Sequence, residues 1–152
     1  MRVRLDEELT AVTHALDEAR IPYALVGGLA VAVWGAPRAT RDIDLLVEAD
    51  DVPRAEAALA AGGFTLPAVP MRFSDGMVVH RVSKIRDGNL MTVDLLVVDR
   101  SSRAYFESRE LRFLETGDAI WVIGREALIA MKIAAGRPQD QADVIRLTEQ
   151  DR

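Results

Sequence analysis

The segment VGGLAVAVWGAPRATRDIDLLVE, residues 26–48, constrains this chain more than any other. It places a glycine pair after a short apolar run, and then two aspartates one residue apart. Residues 23–26 read as a strand and 29–34 as a helix, so Gly27 and Gly28 mark a strand-to-helix turn. Lacking Cβ atoms, they let backbone N–H groups come close to a phosphate at a helix N-terminus, where the macrodipole also favours negative charge. The return strand carries Asp42 and Asp44. In an extended chain alternate side chains share a face, so these two project together while Ile43, Leu45 and Val47 point into a core. Two like charges side by side are unfavourable alone, but they suit a hard divalent cation that takes its further oxygens from water and phosphate. The ordered combination implies a Mg²⁺-phosphate site.

The rest of the chain alternates helices with strands. Leu5, Leu9, Val12 and Leu16 recur at helical spacing and predict a helix over 5–19. The alanine-rich stretch 52–61 predicts another, ended by Gly62-Gly63. Strand-like runs at 77–85 and 90–98 flank Asp87-Gly88, a hairpin signal. A second strand pair, 111–114 and 119–123, turns through Thr116-Gly117-Asp118, and helices over 125–135 and 138–149 are split by Gly136-Arg137-Pro138. The expectation is one mixed α/β domain over residues 1–152, a central sheet flanked by helices, without repeats or a linker.

Composition excludes several classes. With no cysteine there is neither a disulfide framework nor a thiolate metal site. The N-terminus MRVRLDEELT lacks an apolar leader, and no apolar stretch reaches membrane-spanning length, so a cytoplasmic protein with no membrane partner is expected. A net charge of −5 argues against a uniformly basic nucleic-acid surface while leaving room for a local basic channel.

Single positions elsewhere carry further signals. Asp94 is the one acid inside the apolar run 91–98, and a buried carboxylate is costly unless paired or metal-bound. Asp99 reads as a turn residue. Lys132 is the only charge between Glu126 and Arg137, so its stem crosses apolar surface, and its ammonium goes to solvent, to a phosphate or to the acidic cluster. Asp140 and Asp143 share one helix face. Asp140 fits the helix dipole, whereas Asp143, deeper in the helix, suits orienting Lys132 or Arg137. Arg38 and Arg41 flank the loop before the acidic strand and could neutralise a triphosphate. His14 and His80 have no partners at metal-ligand spacing, and Ser101-Ser102 has no base nearby in sequence.

Gly27-Gly28, Asp42-Ile43-Asp44 and Asp94 together resemble the nucleotidyltransferase superfamily that shares its fold with polymerase beta. Arg38, Thr40, Asp42 and Asp44, followed by Lys132 and a helix with Arg137, Asp140 and Asp143, look most like the small bacterial toxins of abortive-infection E-type systems. The resemblance spans about residues 21–147. It implies transfer of a nucleoside monophosphate from an NTP, with Asp42, Asp44 and Asp94 as ligands of one or two Mg²⁺ ions and, with Lys132, as catalytic residues. Nucleotide contacts would come from Gly27, Gly28, Arg38, Thr40, Arg41, Lys132 and Asp143. In the toxin systems the implied acceptor is RNA, particularly tRNA, or protein, and in other branches of the superfamily it is an antibiotic hydroxyl; a cognate antitoxin and a second copy of the chain are candidate partners. The alternative is a catalytically idle nucleotide- or partner-binding module of the same fold.

Overall fold

The computed structural model describes residues 5–36 and 40–149. Helix α1 (Leu5–Glu18) buries Leu9, Val12 and Leu16, the apolar stripe of its sequence. Its first-turn acids Asp6, Glu7 and Glu8 suit the dipole. Strand β1 (Tyr23–Val26) follows, then helix α2 (Gly27–Val33), strand β2 (Asp42–Val47), a 3₁₀ turn (Ala49–Asp51) and helix α3 (Val52–Ala61). Two short strands, β3 (Leu66–Pro67) and β4 (Met71–Arg72), precede a long hairpin of β5 (Val78–Arg86) and β6 (Asn89–Val97). Helix α4 (Arg103–Glu107), strands β7 (Glu110–Phe113) and β8 (Ala119–Val122), and helices α5 (Arg125–Ala135) and α6 (Pro138–Glu149) complete the chain.

The strands form one mixed sheet in the order β3-β5-β6-β2-β1-β8-β7, with β4 also on β5. β1 runs antiparallel to β2, as the glycine turn and return strand require, and β2 runs parallel to β6. Every residue of β1 is buried, the mark of a central strand covered on both faces. Helix α1 packs on α3 and α3 on β5, while α2 packs on β1, β2 and α5, and α5 on α4 and α6. Asp87 and Gly88 both have positive φ, 52° and 77°, as a two-residue hairpin turn of the primed type demands. Among the described residues no helix is long and apolar enough to cross a membrane.

Two features depart from expectation. The glycine pair lies inside the first turn of α2 rather than before it, because β1 passes into the helix without a loop. The two-residue strands β3 and β4 and the five-residue α4 are too short to leave a periodic signature, and β5 supplies the pairing that makes β3 and β4 strands.

Candidate active site

The sheet register brings the acids together. On the parallel pair β2 and β6, Asp44 is the direct partner of Asp94, and Asp42 pairs with Thr92 one pleat away. Register partners and residues two apart share a face, so all three carboxyl groups stand on one side of strands about 4.8 Å apart. Across the hairpin, Arg81 pairs with Asp94. One row thus reads Arg81, Asp94, Asp44 from β5 to β2. Arg81 grips both oxygens of Asp94, its Nε donating to Oδ1 at 2.7 Å and a terminal nitrogen to Oδ2 at 3.0 Å. Asp94 is 8% exposed, and of the two ways a buried acid is satisfied, a charged partner or a metal, the structure shows the first, a guanidinium fork.

Asp44 differs. It is half-buried with Gly27 against its carboxyl group: a Cβ at Gly27 would stand 2.2 Å from Oδ2. Gly27 also has φ +71°, a conformation that L side chains rarely adopt, so glycine is required here on both counts. Burial pushes the Asp44 pKa up most, and the charges of Asp94 and Asp42 push it further. Lys132 and Arg81 pull the other way, leaving it at about 7. A buried carboxyl whose pKa two neighbouring acids raise further fits a cation, and an all-oxygen donor set fits Mg²⁺, which takes one or two carboxylates and completes its shell with water and phosphate. Among the described residues no three acids, histidines or cysteines converge into a closed metal cage. Asp94 is turned toward Arg81 instead.

Beside this row stands a second polar cluster. Lys132 on α5 is 6% exposed and does not reach solvent. Its ammonium lies 3.2 Å from Asp140 and 3.0 Å from Asp143, both 1% exposed. Asp140 also accepts from the Arg137 side chain, at 2.6 Å from Nε, and from the Arg137 backbone N–H at 3.2 Å. That backward reach, with Pro138 opening the helix, is a capping arrangement. Asp140 therefore does more than face a helix dipole. Burial raises its pKa, but bonds from Arg137 and Lys132 outweigh that and hold it below the usual carboxylate range.

The remaining candidates sit as follows. Thr40 and the exposed Arg41 lie on the loop entering β2, and Gly28 is buried in α2. Arg38 lies outside the described residues. His14 bonds Asp118 on the surface, and Asp99 binds Ser101 and Ser102 in a turn, as its position suggested. Arg81 was not singled out from sequence, yet a signal for it exists. The two-residue turn pairs Arg86 with Asn89, and counting back along both strands sets Arg81 opposite Asp94.

The family model described as aminoglycoside-2''-adenylyltransferase matches residues 8–95. That span runs from α1 to β6 and contains Gly27, Gly28, Asp42, Asp44, Arg81 and Asp94. No curated protein matches the sequence at a significant level. Among solved structures the fold resembles the lincosamide antibiotic adenylyltransferase LnuA with lincomycin bound, at 16% identity over 93% of this chain and 95% of that one, TM-score 0.63. A Thermotoga maritima protein described as a nucleotidyltransferase aligns at 20% identity over 99% and 97% of the two chains, TM-score 0.63. ANT(2'')-Ia in complex with adenylyl-2''-tobramycin aligns at 18% identity over 93% and 85%, TM-score 0.61. At such identities these likenesses are of fold; the family match extends over more than half of the sequence. The chain thus belongs to the aminoglycoside-2''-adenylyltransferase family, and it is a nucleotidyl-transfer enzyme of the nucleotidyltransferase superfamily.

Proposed function

We propose that this enzyme, reading residues 1–152 as one catalytic unit, moves a nucleoside monophosphate from an NTP to a hydroxyl of a small cationic acceptor of the aminoglycoside kind. The observation that carries the reading is the row in which Asp44 and Asp94 are register partners, with Asp42 beside them and Gly27 against Asp44. Asp42 and Asp44 would hold Mg²⁺. Bound there, the ion supplies positive charge to phosphate oxygens and to the departing pyrophosphate. Gly27 and Gly28 bring bare backbone up to the phosphates. Thr40 and Arg41 face the nucleotide, Lys132, oriented by Asp143, adds positive charge near Asp44, and Arg38 is a further candidate contact. The acceptor oxygen bonds the α-phosphorus, the bond to the β-phosphate oxygen breaks, and pyrophosphate leaves with that electron pair. Asp94 receives the hydroxyl proton, held in orientation by Arg81.

The acceptor class is supported by the family description and by the chain's net charge of −5, which favours a cationic partner over a polyanion. A second reading keeps a specific support. Lys132, Arg137, Asp140 and Asp143 form one bonded network, as a toxin nucleotidyltransferase with an RNA or protein acceptor and a cognate antitoxin would have it. The test incubates the protein with Mg²⁺ and each α-labelled NTP against aminoglycosides, a lincosamide, total RNA and cell protein. Label on an aminoglycoside is expected. Label on RNA or protein instead would favour the toxin reading, and label on nothing would favour an idle module.

A further inference from the structure

Nucleotidyl transfer brings a triphosphate with its own divalent cation to a site that already holds three carboxylates, which raises the question of how many cations this site takes. The row answers it by charge and geometry. Lys132 and Arg137 are matched by Asp140 and Asp143, two cations against two acids in one bonded cluster. Among the described residues, the row of Asp42, Asp44 and Asp94 has Arg81 ion-paired to Asp94. The guanidinium is planar, permanently charged and bonds both oxygens of Asp94, supplying positive charge where a second cation would sit. Its charge is reinforced, first by the bond to Asp94 and then by the fields of Asp94, Asp42 and Asp44, so it does not leave by deprotonation.

Resting on the nucleotidyl-transfer reading above, we propose that Arg81 stands in for a second metal ion, so that Asp42 and Asp44 hold one divalent cation and Asp94 is kept as a proton acceptor rather than a ligand. Arg81 is a positioning residue in this scheme. Its side chain is 41% exposed, so its replacement by an apolar residue of similar length is compatible with folding. Arg81→Met frees Asp94, and the freed carboxylate next to Asp44 then completes a second cation site.

The test is equilibrium dialysis with Mn²⁺ and an α,β-methylene NTP, counting Mn²⁺ per bound nucleotide. The wild-type enzyme is expected to hold one. Arg81→Met is expected to hold two, and Arg81→Met combined with Asp94→Asn to return to one. Arg81→Lys, which keeps a charge and serves if the Met variant folds poorly, is expected to hold one. Two ions in the wild-type enzyme, or one in Arg81→Met with its fold intact by circular dichroism, overturns the proposal while leaving nucleotidyl transfer standing. No nucleotide-dependent Mn²⁺ binding in the wild-type enzyme overturns both.

Discussion

Asp44 is a carboxyl that folding has made hard to ionise. It titrates near 7 in the folded chain against an ordinary value of 3.8. Between those values the folded state keeps a proton that the unfolded state has released, so this group's contribution to stability falls as pH rises from about 4 to 7 and is flat above. Asn cannot titrate. In metal-free protein, Asp44→Asn should therefore melt above the wild type at pH 8 and close to it at pH 4, each kcal/mol of relief moving Tm by about 2–4 °C in a chain of this length. An equal difference at both pH values, measured by calorimetry, would show that Asp44 does not titrate in that window. The strain is the counterpart of the chemistry, because the acids that repel one another are the ones that would receive the ion.

Lys132 shows what a helix pair adds to a side chain. On α5 alone, a lysine among apolar residues reads as a stem reaching for solvent or for a phosphate. Packed against α6, it is the cation between two buried carboxylates. Replacement by Met keeps the apolar stem and helix propensity but withdraws that charge. Lys132→Met should accordingly lose about 3 kcal/mol or more, and Lys132→Met with Asp143→Asn should recover part of it, as urea melts would read. A Lys132→Met variant as stable as the wild type would mean that Asp140 and Asp143 are satisfied without it. The β5-β6 hairpin works in the same direction. Its turn sets the register that delivers Arg81 to Asp94, and its outer residues Lys84 and Arg86 bond the buried Glu8, locking α1 to the sheet.

For the molecule as a whole, the site lies where β2 meets the β5-β6 hairpin, with α2 against β2 and α5 against α2. A ligand that binds only this assembled state stabilises the whole fold by mass action, by about 2.7 kcal/mol at a hundredfold excess over Kd. Mg²⁺ and NTP together should raise Tm, while either alone should do little, because each supplies the charge that the other lacks. The shift should shrink in Asp42→Asn. An undiminished shift in that variant would place the nucleotide elsewhere.

Much of this was legible beforehand because it is local. The periodicity of α1, the boundaries of α3, α5 and α6, and the Asp87-Gly88 turn each follow from residues a few positions apart, where propensity, glycine and proline act directly. The shared face of Asp42 and Asp44 follows from the two-residue period of a strand. Partnership across the sheet is another matter. That β2 lies parallel to β6, so that Asp44 meets Asp94, rests on which strands become neighbours, and no local pattern specifies that. The same holds for Gly27 against the Asp44 carboxyl and for Lys132 between Asp140 and Asp143. Sequence names the charged groups, but the energy of a charge depends on what is packed beside it and how much water is left, and those are set when the helices and strands come together.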